Sequence, residues 1–243
     1  MNQSLLNSES LNPKSLCTIG GVAALVQLAA ILSAIVVAVI FGARPTSAEE
    51  FFTIQHGNPL AALLRGDFLL MFFLIGAYLG TFPALWWALR RVNPVAATIA
   101  ALLTGIAVIL SFSGESTFAL LRLGDLYNAS VSAAERAQFL AAGDAVMVAG
   151  WWTSTGSYVA GIFLQGGGII VSLVMLRSRD FSKVTAITGL LGNALDLTQH
   201  VLHPFAPSIS APIQMLMGPF YLVWFPMLAR DFFRLAKASI TAG

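Results

Sequence analysis

The chain has 243 residues, of which 57% are hydrophobic and only 10% are charged, and its formal net charge at pH 7 is +2. Soluble domains carry about 25% charged residues, so this chain lacks the polar residues to cover a soluble core of its size. The small net charge excludes the basic face of a nucleic-acid-binding protein. The apolar residues form long runs, and this pattern predicts an all-α, polytopic integral membrane protein.

Six apolar runs have the length of transmembrane helices, and together they predict a single six-helix transmembrane domain over residues 1–243. The first run is longer than the apolar core of a signal peptide, which is about 7–15 residues long, so we expect a retained helix. The predicted spans are, in chain order, residues 19–41, 68–89, 95–112, 149–176, 184–202 and 213–228.

Lysine and arginine are distributed unequally between the two sets of loops that these spans define. Nine of them lie on the N-terminus, the second and fourth loops and the C-terminus, and four lie on the other loops. The positive-inside rule therefore predicts that both termini are cytoplasmic. An even number of spans agrees with that orientation.

Two longer connections, residues 42–67 and 122–148, fall on the outer side in this topology. In the second, Ser132-Ala-Ala-Glu135 has the spacing of a capping box, which predicts that a short helix begins there. The apolar positions of that helix indicate that it lies at the outer interface. We expect the two connections to roof an outward-facing polar cavity or surface.

The ionisable residues of the predicted spans collect at the outer ends of the helices. An ionisable residue within a span is costly and marks a functional site by default. Asp196, His200 and His203 are separated by four and three residues, so they share one face of the fifth helix. Glu115 lies near the outer end of the third. The candidate ligand-binding residues are Arg65, Asp67, Glu115, Asp196 and His200.

Three interpretations of this cluster stay open. Asp196, His200, His203 and Glu115 could converge on one zinc ion, as in helical His-x-x-x-His sites, and three ligands with a water would make a hydrolytic site. The cluster could also be a proton or ligand site, or a structural network at the wet end of a helix. The D-x-x-x-H-x-x-H spacing is not diagnostic, so the sequence predicts no catalytic residue and no cofactor, with zinc as the alternative.

Small residues are concentrated in the fourth predicted span, around Gly166-Gly167-Gly168. This composition indicates close packing of helices. A hinge or a broken helix that lines a substrate path is the alternative interpretation. No strand precedes the triplet and no Lys-Ser/Thr follows it, so it is not a phosphate-binding loop.

The second outer connection reads LYNASVSAAERAQFLAAGDAVM, and its most specific part runs from Tyr127 to Ala145, with Glu135-Arg136 and Leu140-Ala-Ala-Gly-Asp144. With the six spans, the short inner loops and the long first outer loop, about residues 16–236 resemble the bacterial membrane proteins catalogued as domain of unknown function 4386. The resemblance implies a bacterial inner-membrane protein of six helices. It implies no established reaction, so it carries over no catalytic residue.

A competing comparison is with the membrane hydrolases that include alkaline ceramidases, which hold zinc with a serine, an aspartate and several histidines in seven helices. Here the histidine spacing differs and one helix is missing.

We expect binding or transport of a small molecule or lipid through an outward-facing cavity. A structural or accessory subunit of a membrane complex and a membrane-embedded metal-dependent hydrolase are the alternatives. The expected partner is the lipid bilayer, and nucleic acid is not expected. A partner membrane protein and a homo-oligomer both stay open.

Overall fold

The computed structural model describes residues 12–66, 68–150 and 153–241, and within these ranges the chain is helical with no strand. The all-α prediction is confirmed, since 84% of the described residues are helical. A π-helical turn, Leu70–Ile75, precedes the fourth α-helix. The α-helices are α1 Pro13–Phe41, α2 Ala48–Gly57, α3 Pro59–Arg65, α4 Tyr78–Leu89, α5 Pro94–Ser113, α6 Thr117–Ala129, α7 Ala133–Val148, α8 Thr155–Met175, α9 Lys183–Leu202 and α10 Pro207–Thr241.

Five stretches of helix in the described residues are long and apolar enough to cross a membrane, a composition that indicates a lipid bilayer environment. The sequence predicts six, and the difference is α9. Its second half carries Asn193, Asp196, Gln199 and His200 in place of apolar residues, so its hydropathy is too low. The five stretches are Pro13–Phe41, Leu70–Leu89, Pro94–Ala129, Thr155–Met175 and Pro207–Ala238.

Six helices close into a ring in chain order. In it α1 packs against α4, α4 against α5, α5 against α8, α8 against α9, α9 against α10, and α10 against α1. Short connections, residues 90–93 and 176–182, join α4 to α5 and α8 to α9 as hairpins. The C-terminal ends of α1, α5 and α9 meet the N-terminal ends of α8 and α10 around one cavity. We call this end of the ring the open end, and the other the closed end.

The π-helical turn is held in place by a buried side chain of α1. The Gln27 amide donates to the Leu74 carbonyl at 3.3 Å, and the Thr81 hydroxyl donates to Gln27 Oε1 at 3.0 Å. Gln27 is fully buried, and a buried amide is costly unless it is hydrogen-bonded. In the π-helical turn the backbone hydrogen bonds are shifted by one residue relative to an α-helix, and the Leu74 carbonyl faces the Gln27 amide. This contact fixes the wall of the ring that carries Leu70, Leu74 and Ile75.

Helix α8 runs unbroken through Gly166-Gly167-Gly168, so the broken-helix interpretation is wrong for this segment. A Cβ on Gly167 would lie 2.7 Å from the Thr104 hydroxyl of α5, and a Cβ on Gly168 would overlap the Asn193 side chain of α9. These two glycines let α8 approach both neighbours closely, as the packing interpretation predicts.

The two longer connections are helical rather than irregular. The first contains α2 and α3, the second contains α6 and α7, and they share an apolar cluster around Phe51, Phe52 and Leu120. The predicted capping box is present: Ser132 Oγ accepts from the Glu135 N–H, and the Glu135 carboxylate accepts from the Ser132 N–H, each at 3.2 Å. The bond from the Ser132 N–H lowers the pKa of the Glu135 carboxyl below its ordinary value.

A buried carboxylate joins α10 to α9 at the closed end. Asp231 is fully buried; its Oδ2 accepts from the Ser182 N–H at 2.8 Å and from the Thr185 hydroxyl at 2.6 Å. Ser182 directly precedes α9, so Asp231 caps the positive end of that helix dipole. Arg230 and Arg234 lie 3.3 and 3.7 Å from Oδ1, but both are more than half exposed, so they stabilise the carboxylate less than the two hydrogen bonds.

Candidate functional site

A cavity of about 860 Å³ begins at the open end and extends into the ring. Small-molecule sites have volumes of about 300–1,000 Å³, apolar walls and a few placed polar groups. One wall is apolar and consists of Leu70, Leu74 and Ile75 of the π-helical turn. All six helices of the ring contribute lining residues: Ile31 from α1, Tyr78 from α4, Ser111 from α5, Tyr158 from α8, Asp196 from α9 and Tyr221 from α10.

The polar part of the cavity is a short chain of hydrogen bonds across three helices. The Tyr221 hydroxyl lies 2.9 Å from Asp196 Oδ2 and 3.0 Å from Gln165 Oε1. The Gln199 amide donates to Asp196 Oδ1 at 3.4 Å. The Asp196 carboxylate on α9 is therefore held by Tyr221 of α10 and Gln199 of its own helix. Gln165 extends the chain of hydrogen bonds to α8.

When Asp196 is ionised, the two hydrogen bonds of the Tyr221 hydroxyl have only one donor proton between them. Tyr221 has one hydroxyl proton, while Asp196 Oδ2 and Gln165 Oε1 both accept when the carboxyl is ionised. Two arrangements give each of these hydrogen bonds one donor and one acceptor. Either Asp196 is protonated and donates to Tyr221, which donates to Gln165, or the Gln165 amide turns so that its NH₂ group donates to Tyr221. The arrangement can therefore hold Asp196 in either protonation state.

His200 forms part of the wall between α8 and α9. Its Nε2 lies 3.0 Å from the Tyr158 carbonyl oxygen, and its ring stacks on Tyr158 with 5.4 Å between centroids. The carbonyl only accepts, so Nε2 carries a proton and Nδ1 is the nitrogen left for other partners. The ring lies against Gly161, where a Cβ would overlap it.

His203 lies at the mouth of the cavity. Its side chain is exposed, and its Nδ1 lies 3.3 Å from the Ser210 hydroxyl, which follows in the first turn of α10. Arg44, on the segment after α1, lines the cavity as well. The basic residues are therefore nearer the mouth, while Asp196 lies among Tyr221, Gln165 and Gln199.

The structure brings together some of the predicted site residues and separates others. Asp196, His200 and His203 all line the cavity. Glu115 does not line it: the residue lies in the turn between α5 and α6, where its carboxylate accepts from the Thr117 N–H at 2.8 Å. Glu115 therefore lies apart from Asp196 and His200, because α5 ends before it, and its candidate role in ligand binding stays a prediction.

Arg65 is also placed away from the cavity lining. Its guanidinium pairs with Glu50 at 3.0 Å and donates to the Ala43 carbonyl at 2.8 Å. Both contacts tie the end of α3 to the segment after α1, and the candidate role of Arg65 in ligand binding stays a prediction. Asp67 lies outside the described residues.

No three His, Cys, Asp or Glu side chains in the described part of the chain are placed to hold a metal ion. Among the candidate zinc ligands, Glu115 lies in the turn after α5, and His200 Nε2 contacts a carbonyl while Nδ1 is left for other partners. The predicted zinc ligands Asp196 and His200 instead make separate contacts, to Tyr221 and to Tyr158.

Tyr158, Gln165 and Tyr221 complete the site but are not predicted from the sequence. Each lies on a different part of the chain from Asp196, and only the packing of α8 and α10 against α9 brings them to it. Comparison of the chain with protein families, with curated proteins and with solved structures gives no match. The function is therefore argued from the geometry of the cavity.

Proposed function

We propose that the protein binds or transports a small molecule or lipid in the cavity at the open end of the ring. The observation that carries this proposal is the cavity itself: it is lined by all six ring helices, its walls are mostly apolar, and one hydrogen-bonded carboxylate lies within it. A structural subunit without a site of its own has no need for such a volume, because helix packing normally fills it.

The proposal includes a topology in which α9 crosses the membrane as the sixth span. Helix α9 closes the ring between α8 and α10, and its polar Asn193 and Gln199 are buried there. Apolar residues are exposed on the opposite face of its first half, with Val184, Ile187 and Leu191 separated by three and four residues. An apolar outer stripe with polar residues inside is the pattern of a lipid-facing helix of a membrane bundle.

In this topology the open end faces outward from a bacterial inner membrane and both termini are cytoplasmic. The unequal lysine and arginine count supports this orientation, because the positive residues after α4, after α8 and in the last part of α10 collect at the closed end. The kinship with domain of unknown function 4386 is part of the same proposal and rests mainly on the segment from Tyr127 to Ala145.

The orientation predicts an asymmetric labelling of introduced cysteines. Ala133 and Asp180 are exposed at opposite ends of the molecule, and Cys17 is the single native cysteine. In a Cys17→Ala background on intact cells, a membrane-impermeant maleimide should label Ala133→Cys. It should label Asp180→Cys only after the cells are made permeable. Labelling of Asp180→Cys alone in intact cells would show the reverse orientation, and labelling of both would show that the proposed set of crossings is wrong.

The binding function predicts that filling the cavity removes binding. Gly218 lines the cavity one turn before Tyr221, and a Cβ there would meet nothing within 4 Å. A tryptophan at this position therefore fits without a clash at Cβ and lies between the mouth and the polar residues. For Gly218→Trp we expect the affinity for a neutral apolar probe, triphenylphosphine oxide, to fall at least about tenfold in equilibrium dialysis of the purified protein.

Gly166→Trp is the matched control for this substitution. Gly166 lies on α8 outside the cavity lining, and a Cβ there also meets nothing within 4 Å. Its variant should bind the probe as the wild type does. Equal binding by wild type and Gly218→Trp, or no saturable binding by the wild type, would overturn the proposed function.

A further inference from the structure

The position of Asp196 allows the proposed function to be narrowed to one chemical class of ligand. We propose that the cavity binds lipophilic organic cations, and that the bound cation replaces a proton on the Asp196 carboxyl. This inference rests on the proposed function. It is supported by the partners of Asp196, by the aromatic residues around it and by the two ways in which its hydrogen bonds close.

The hydrogen-bond partners of the Asp196 carboxylate are neutral. They are the Tyr221 hydroxyl and the Gln199 amide, and no ion pair joins Asp196 to a lysine, arginine or histidine among the described residues. A carboxylate away from bulk water is costly without an opposite charge. The site therefore favours either a proton on Asp196 or a cation supplied by a ligand.

The titratable and charged groups around Asp196 come from every element that borders this part of the cavity. His200 Nε2 is engaged by a carbonyl, His203 and Arg44 lie toward the mouth, and the other groups are phenols. They are His200 and His203 from α9, Tyr158 from α8, Tyr221 from α10, Tyr78 from α4 and Arg44 from the segment after α1. The acidic group among them is Asp196, so the negative charge of the cavity is concentrated at one point.

Aromatic residues line the same cavity, and one of them, Tyr221, contacts Asp196 directly. Tyr78, Tyr158, Tyr221 and Phe225 all line the cavity, and the Tyr221 and Phe225 rings stack with 5.7 Å between centroids. The faces of aromatic rings attract cations that carry apolar substituents, and this attraction strengthens where water is excluded. The apolar wall formed by Leu70, Leu74 and Ile75 then suits the substituents of the cation rather than its charge.

The exchange balances in protons and charge. Without a ligand, the protonated Asp196 donates to Tyr221, and Tyr221 donates to Gln165. When the cation enters, the carboxyl proton passes to the solvent at the open end, Tyr221 turns its O–H to the carboxylate, and the Gln165 amide turns its NH₂ group to Tyr221. One positive charge enters and one leaves, so the net charge of the cavity is unchanged.

The pH dependence of two probes tests this inference on the wild-type protein. Tetraphenylphosphonium is a lipophilic cation, and triphenylphosphine oxide is a neutral molecule with the same aromatic groups. For a cation that competes with one proton, the affinity should rise by about tenfold per pH unit below the pKa of Asp196 and level off above it. The affinity for the neutral probe should show no such rise.

Substitutions at Asp196 assign the effect to its charge. Asp196→Asn keeps an oxygen that accepts from Tyr221 but removes the charge, so tetraphenylphosphonium binding should weaken at least about thirtyfold and lose its pH dependence. Binding of triphenylphosphine oxide should change less than about twofold. Asp196→Glu, which keeps the charge, should restore part of the cation affinity. Asp125→Asn removes one exposed carboxylate outside the cavity and is the charge-matched control.

Cation binding that is independent of pH in the wild type, or equal in Asp196→Asn, would overturn the inference. If triphenylphosphine oxide still binds and is excluded by Gly218→Trp, the cavity keeps its proposed binding function and only the cation assignment fails. If neither probe binds to the wild type, the proposed function and the cation assignment both fail.

Discussion

Asp231→Ala is expected to lower the free energy of unfolding by about 3–5 kcal/mol, the largest loss we predict for a single side chain. The substitution leaves the Ser182 N–H and the Thr185 hydroxyl without the acceptor that they now share. It also removes the negative charge from the N-terminal end of α9 and leaves a void where a fully buried side chain was. For a chain of this length the midpoint of thermal unfolding should fall on the order of 10 °C.

Cys17 supplies the measurement. It is the single cysteine of the chain and is buried in the ring core, so a thiol-reactive dye reacts with it when the helices separate on heating. Asp180→Ala removes an exposed carboxylate at the same end and should leave the midpoint within about 1–2 °C of wild type. Asp231→Asn, which keeps one acceptor oxygen, should fall between the two. Equal midpoints for Asp231→Ala and Asp180→Ala would mean that the bridge from α10 to α9 does not stabilise the ring.

Two alanine substitutions two residues apart on α8 should change stability in opposite directions. At Gly168 the new Cβ overlaps the Asn193 side chain, which is itself held by its bond to the Gly189 carbonyl at 2.7 Å. Gly168→Ala should therefore destabilise the protein by about 1–3 kcal/mol. At Gly166 the new Cβ meets nothing within 4 Å, and the better helix propensity of alanine should stabilise the protein by about 0.5–1 kcal/mol.

The sign of the difference, rather than its size, is the decisive result. The two variants have the same composition and lie on the same helix, so expression, detergent and length effects cancel when their unfolding midpoints are compared. Stabilisation by both substitutions would show that α8 and α9 are not packed as closely as the structure places them. Destabilisation by both would show that the open side of Gly166 is covered by another surface in the membrane.

The features that were predictable from the sequence are those that depend on neighbours along the chain. The apolar runs indicate the helices, and the Ser132 to Glu135 spacing indicates the start of α7. The same local reasoning places the third span at residues 95–112 and a connection at residues 122–148, and it does not predict α6, which contains Gly124. In the structure that glycine is a point of close packing, where a Cβ would overlap the Gln55 side chain of α2.

The candidate site was only partly predictable because most of its contacts join residues that are distant in the sequence. Asp196 and His200 are found by their helical spacing, but Tyr221 and Gln165 are 25 and 31 positions away from Asp196 in opposite directions along the chain. Asp231 was missed for a related reason: a charged residue near positive neighbours at a helix end suggests a solvated position. Asp231 is buried because the N-terminal end of α9 packs against it, and the sequence of α10 alone does not predict this contact.

The contact between the first and the last helix of the ring has a consequence for the insertion of the chain during synthesis. Because α10 packs against both α9 and α1, the helices that enter the membrane first do not enclose the cavity until the last one arrives. In the proposed topology, a nascent chain that has inserted α9 but not α10 presents Asp196 without its Tyr221 partner and the start of α9 without the Asp231 cap. The unfinished intermediate therefore exposes polar groups at both ends of one helix, and these are the groups that a membrane chaperone or protease can recognise.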